Sequence, residues 1–288
     1  MHLWESILWM SGKLLVVGDS FSTTYLEDVR KYPNAGKFKP YVFHIKPYKY
    51  WFEYFAEDLN LDVLNLAFSG SGNQQIFDNT LYGLNTNKDI DTVMIGWSSF
   101  ERIDLLRGES LDNVHLCKTQ DFNNEEWFHR SYLPNAEKYI TMFREDKIFP
   151  IEKLISQFLN YSITINSICK SRNIKLLQFF AVEPLTPSLY LEKINKKMHY
   201  YKTYINNNLM NYVNTDNFFG FPGTDLLGGT NINQMLTKQK NYDDLIINSE
   251  KYTYSDEHDW TFNVDAHPNG EGNKLIYETL NNFRLDIY

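Results

Sequence analysis

KLLVVGDSFS, residues 13–22, begins as an apolar strand and ends on a glycine, an acid and a serine. Residues 14–17 form a continuous apolar run, the pattern of a strand covered on both faces. Strands of that kind belong to parallel sheets, whose ligands bind beyond the carboxyl ends of the strands. Gly18-Asp19-Ser20 lies at such an end. Glycine permits a sharp turn there, and a serine can present its hydroxyl to a cleft. The same residues also read as a plain turn in which Ser20 or Ser22 caps the next helix.

Outward from this stretch, strand-like and helix-like runs alternate. Residues 63–67, 92–97, 174–182 and 217–221 read as further strands. Residues 48–59, 151–172, 189–212 and 271–283 read as helices, the second from apolar positions at helical spacing such as Leu154, Ile155, Phe158 and Leu159. Alternation of this kind predicts an α/β chain, a three-layer α/β/α sandwich around a mostly parallel sheet. Residues 104–148 and 223–262 are long, polar and irregular, and read as insertions into a single domain covering 13–288. Residues 1–12 read as an N-terminal appendage.

Composition narrows the function. The 288 residues carry a formal net charge of -8, which argues against nucleic acid and anionic membrane surfaces as partners. No run reaches the length of a membrane span. The first residues lack the basic region of a signal peptide, so a cytoplasmic or non-Sec-exported protein is expected. Cys117 and Cys169 have no metal-like or redox-like spacing, and Cys169 falls on the apolar stripe of a helix. Aromatic residues make up 16%, enough for both core and cleft wall, notably in residues 41–55 and 125–132.

Two more stretches carry chemistry. DAHPNGE, residues 265–271, directly precedes the last helix, whose start Asn269 can cap. The positive end of that helix disfavours imidazolium at His267, and a general base must be neutral. Asp265 is placed to orient it; the alternative is a solvated loop plus cap. NLAFSGSGNQQI, residues 65–76, follows the second strand and offers Gly70, Gly72 and Asn73. Small residues let backbone N–H groups approach a ligand, and Asn73 adds an amide donor, the material of an oxyanion hole. A glycine-rich turn needed only for its backbone geometry is the alternative.

Taken in order, these pieces resemble the SGNH/GDSL hydrolase family, from residue 13 to about 283. The resemblance implies a flavodoxin-like sheet and a serine esterase without metal or organic cofactor. It implies Ser20 as nucleophile, His267 as base and Asp265 as orienter, with Asp256 and Asp259 in reserve. The oxyanion would be held by the N–H groups of Ser20 and Gly70 and by the Asn73 amide. Asp19 would brace the turn.

Two departures from the family pattern stand out. The third block reads IGWSSFERID, residues 95–104, where the family carries Gly-x-Asn-Asp, so Ser98, Ser99 or Asn73 must supply the missing donor. The family's Asp stands three residues before its His, where this chain has Val264. Arg102 is a candidate contact for an anionic substrate, or an ion-pair partner for Glu101 or Asp104. SDEHDW, residues 255–260, holds ligand-type residues but reads more readily as a solvated loop than as a metal site.

The expected substrate is a small-molecule or glycan ester, with a carbohydrate O-acyl (acetyl) ester preferred. A non-catalytic glycan-binding or structural module on the same fold, or an O-acyltransferase, are the alternatives.

Overall fold

The computed structural model describes residues 12–31, 45–100, 102–107, 110–115, 151–185, 201–247 and 265–285. Its strands are β1 (Lys13–Gly18), β2 (Asp62–Asn65), β3 (Ile90–Trp97), β4 (Arg102–Arg107), β5 (Ser110–His115), β6 (Lys175–Phe180), β7 (Phe218–Phe219), β8 (Ile246–Ile247) and β9 (Asp265–Pro268). Its α-helices are α1 (Tyr25–Lys31), α2 (Trp51–Leu59), α3 (Asn73–Thr86), α4 (Ile151–Ser171), α5 (Ile232–Thr237), α6 (Tyr242–Leu245) and α7 (Gly270–Leu285).

The central sheet has five strands in the order β2-β1-β3-β6-β7, and every pair in it is parallel. The chain steps from β1 outward to β2, then crosses back to β3 on the other side of β1. Such a reversal opens a crevice at the carboxyl ends of the two strands, where ligands bind in open α/β sheets. The Gly18-Asp19-Ser20 turn leaves β1 at that point.

Alternation along the strands divides the core into two layers. Leu14 and Val16 pack with Met94, Leu177 and Phe179 against Trp51, Phe52 and Phe55 of α2 and Ile276 and Leu280 of α7. Leu15 and Val17 pack with Val93, Ile95 and Leu176 against Ile76 and Leu84 of α3 and Ile155, Phe158 and Leu159 of α4. All four residues 14–17 are fully buried, each stabilising the fold by about 2 kcal/mol. A Cβ at Gly83 would come within 2.8 Å of the Leu15 side chain, so this glycine lets α3 lie directly on β1.

The five sheet strands and the helices at residues 151 and 270 onward match the sequence reading. Helices α1 and α3 lie where the sequence reading placed none, and three further stretches differ from it. Inside the stretch read as irregular from 104, β4 and β5 form an antiparallel hairpin, with Arg107 opposite Ser110. In the second such stretch, α5, α6 and β8 occupy residues 232–247. The helix expected over 189–212 is described as helical at residues 201–205, followed by a 3-10 helix at Asn208–Tyr212. Asn207 causes the change by capping that second element, its side chain accepting from the Leu209 N–H at 3.0 Å.

Candidate active site

The turn after β1 is built around a buried carboxylate. Asp19 is fully buried, and its Oδ1 accepts the Phe21 N–H at 3.0 Å. Its Oδ2 accepts from the Ser98 hydroxyl at 3.2 Å and from Arg102 Nη1 at 2.7 Å. The backbone closes through the Ser22 N–H donating to the Asp19 carbonyl at 2.9 Å. Gly18 is required by Ser22: a Cβ on Gly18 would lie 2.5 Å from the Ser22 hydroxyl, and one on Gly96 would lie 2.7 Å from it. Ser22 therefore fills a pocket between two strand ends, and its hydroxyl has no partner among the described residues. It does not cap α1, whose first turn instead starts with the Asp28 N–H donating to the Thr24 carbonyl at 2.9 Å. Asn65, at the end of β2, ties the turn down by donating to the Ser22 carbonyl at 2.8 Å.

His267 reaches this turn from the other end of the chain. Its Nε2 lies 2.7 Å from Ser20 Oγ, a hydrogen bond across 247 positions. His267 sits in β9, where Ile247 lies opposite Asp265 and Ile246 opposite Pro268. The Pro268 carbonyl accepts from the Tyr48 hydroxyl at 3.0 Å and from Asn273 Nδ2 at 3.1 Å. Asn269 caps α7, its Oδ1 accepting from the N–H groups of Glu271 and Gly272 at 3.0 and 3.1 Å. These contacts fix the two residues after the histidine, and so the direction from which the imidazole enters.

The Asp265 backbone lies in β9, but its side chain falls outside the described residues, as do Asp256, Asp259 and the whole 255–260 run. Among the described residues no cluster of three or more His, Cys, Asp or Glu is placed to hold a metal ion. None of their helices is long and apolar enough to cross a membrane.

The second and third blocks meet each other as much as they meet the serine. Asn73 opens α3, and its Oδ1 accepts the Ser98 N–H at 2.9 Å while its Nδ2 donates to the Ser98 carbonyl at 3.1 Å. The amide expected to point at an oxyanion is engaged with the loop after β3. Asp104 completes the clasp, accepting the Gly72 N–H at 2.8 Å and the Gln75 N–H at 2.9 Å at the start of α3. Burial pushes the Asp104 carboxyl above the ordinary carboxylate range, outweighing those two N–H groups, which pull it down. A Cβ on Gly72 would strike Asp104, so this glycine serves the close approach of the two loops.

Ser99 donates to the Pro184 carbonyl at 3.2 Å. Ser98, Ser99 and Arg102 thus make protein contacts around the turn, and Arg102 pairs with Asp19 rather than with Asp104. By contrast, the N–H groups of Ser20 and Gly70 donate to no acceptor among the described residues. Gly70 has φ +86°, a conformation that suits glycine.

Sequence reading missed the aromatic environment of His267. Tyr25 stacks on the His267 ring, and Tyr48, Tyr50 and Trp51 bind the backbone on both sides of the pair. The density of rings in residues 48–55 was the available signal, but nothing in it said which rings would meet the histidine.

No family model matches the chain, and no curated protein matches it. Among solved structures, it is similar to the psychrotrophic esterase EstA from Pseudoalteromonas sp., at 11% identity and TM-score 0.43, covering 96% of this chain and 98% of that one. It is also similar to a lipase from a goat rumen metagenome, at 11% identity and TM-score 0.42, covering 95% and 97%. A G-D-S-L family lipolytic protein from Desulfitobacterium hafniense DCB-2 follows, at 12% identity and TM-score 0.38, covering 95% and 99%. All three lie below a TM-score of 0.5 and are likenesses only.

Proposed function

We propose that this chain is a serine-dependent carboxylic ester hydrolase that works through an acyl-serine intermediate. The single observation that carries the reading is the 2.7 Å contact between His267 Nε2 and Ser20 Oγ, at the carboxyl end of β1. A hydroxyl and an imidazole at this separation form a nucleophile–base pair. Ser20 Oγ attacks the ester carbonyl, its proton passes to His267 Nε2, and the same proton then goes to the departing alcohol. Water repeats the sequence in reverse roles to release the acid.

The negative oxygen formed in each step needs donors. The Ser20 and Gly70 N–H groups have no competing acceptor among the described residues, and they are the two donors assigned to it. Asn73 is held by Ser98 and contributes by fixing the loop beside them. A hole of two backbone donors in place of three would cost about 3 kcal/mol of transition-state stabilisation, so modest turnover is expected. The proposed substrate class is an O-acyl, preferably O-acetyl, ester of a carbohydrate. Phe68 supports it: 47% exposed and two residues before Gly70, it offers a ring face of the kind that sugars stack on.

The test is hydrolysis of a short-chain chromogenic ester by the wild-type chain and by Ser20→Ala, with mass spectrometry after a serine-reactive phosphonate. Activity that disappears in Ser20→Ala, with the phosphonate on Ser20, supports the reading. Label on another serine, or glycan binding without hydrolysis that Ser20→Ala leaves unchanged, overturns it in favour of another nucleophile or a binding module.

A further inference from the structure

Tyr25 is the first residue of α1, and it lies face to face with His267. The ring centroids are 3.8 Å apart and the planes differ by 12°. Phe21 borders the same imidazole at 5.4 Å, tilted by 37°. Tyr25 is buried. We propose that Tyr25 is a positioning residue for His267, fixing the plane of the imidazole and accepting on its ring face the charge the base acquires. The inference rests on the esterase reading given above.

The hydrogen bond to Ser20 holds the Nε2 atom of the imidazole, and the parallel Tyr25 ring against its face resists rotation of the imidazole plane. When the Ser20 O–H bond breaks and the N–H bond forms at Nε2, the imidazole takes on one positive charge. The face of an aromatic ring is its negative side, and it attracts a cation held against it.

The surrounding bonds show that the pair is braced as a unit. Residues 48–51 hold both halves. On the Tyr25 side, Trp51 Nε1 donates to the Phe21 carbonyl at 2.9 Å, and the Tyr50 hydroxyl accepts the Leu26 N–H at 3.1 Å. On the His267 side, the Tyr48 hydroxyl donates to the Pro268 carbonyl at 3.0 Å, and the Trp51 N–H donates to Asn273 Oδ1 at 3.1 Å. One short segment thus sets the distance between two rings that are 242 positions apart in sequence, at 25 and 267.

The experiment compares Tyr25→Phe, Tyr25→Leu and Tyr25→Met in the full chain, with Ser20→Ala as control. Tyr25→Leu and Tyr25→Met are expected to lower kcat about 10-fold, the scale of a desolvated cation–ring contact, with KM nearly unchanged. Tyr25→Phe keeps the ring face and is expected to stay within about twofold of wild type. In NMR spectra without substrate, the His267 ring protons should carry an upfield ring-current shift that Tyr25→Phe retains and the two aliphatic variants lose.

Unchanged kcat in the folded aliphatic variants overturns the inference, as does a Tyr25→Phe that falls as far as they do, or a loss carried by KM. If Ser20→Ala keeps full hydrolysis, the esterase reading is what fails; the NMR comparison then still decides whether Tyr25 orders the histidine.

Discussion

The serine and the histidine are held in different ways. The serine turn leaves the centre of the sheet, where β1 is paired on both sides, and a buried charge network surrounds it: Asp19, Arg102 and Ser98. The histidine lies in a four-residue strand that pairs, among the described residues, with the two-residue β8. Its supports include a backbone carbonyl, a helix cap and stacked rings. Fold stability and the geometry of Ser20 therefore share residues, whereas His267 is aligned by contacts the fold can lose one at a time. Substitutions near Ser20 should cost stability and turnover together, and those near His267 should cost turnover first.

Asp19→Ala tests the first half most severely. It leaves the Arg102 guanidinium, only 15% exposed at its side chain, without its carboxylate. Breaking a buried ion pair from one side costs about 3 kcal/mol or more. Urea unfolding should show that loss, and the double variant Asp19→Ala, Arg102→Ala should recover part of it because no charge is left stranded. A change confined to turnover would erase the contrast between the two regions.

Asp265→Asn tests the second half. In an extended segment residues two apart share a side, and Pro268 restricts His267 to such a conformation. Loss of the correct imidazole tautomer should lower kcat by about 100-fold or more while the unfolding midpoint stays put. His267→Ala should be at least as damaging. Near-normal turnover in Asp265→Asn together with its loss in Asp259→Asn would make Asp259 the orienter.

Asn273→Ala lies between the two extremes. The residue is buried, accepts the Trp51 N–H and donates to the carbonyls of Pro268 and Asn269. Its removal should cost about 2 kcal/mol by urea unfolding, because three backbone groups lose a partner, and it should lower kcat beyond what the folded fraction explains.

The same contrast separates what could be read from the sequence. Strand β1 and its Gly-Asp-Ser ending were legible because a doubly covered strand must be apolar and its turn must be small. Gly70 and Pro268-Asn269 were legible for similar local reasons. Helix α3 was hidden by its polar sequence, NQQIFDNTLYGLNT, whose buried face is narrow. The β4–β5 hairpin was hidden by charged residues, although a Gly-Glu pair in the sequence separates Arg107 from Ser110. Arg102 on Asp19, Asn73 on Ser98 and Tyr25 on His267 join residues 83, 25 and 242 positions apart, and no local pattern encodes such meetings.

The smallest effect expected concerns pH and distinguishes the clasp beside the serine. Asp104 holds the start of α3 through two N–H groups, yet its carboxyl is raised above the ordinary range because burial disfavours the charged form. A carboxyl raised in the folded state binds its proton more tightly there than in the unfolded chain. Its contribution to stability is fully present below the unfolded-state value and declines as pH rises through the folded one. Asn at this position carries no charge to desolvate, but it offers one acceptor oxygen to the two N–H groups instead of two. Asp104→Asn should therefore destabilise the chain at pH 4, and the deficit relative to wild type should shrink by pH 7. Urea unfolding of both proteins at the two pH values measures it. A deficit that grows with pH would mean that the charged carboxylate is the form the clasp prefers, and that the N–H groups of Gly72 and Gln75 outweigh burial.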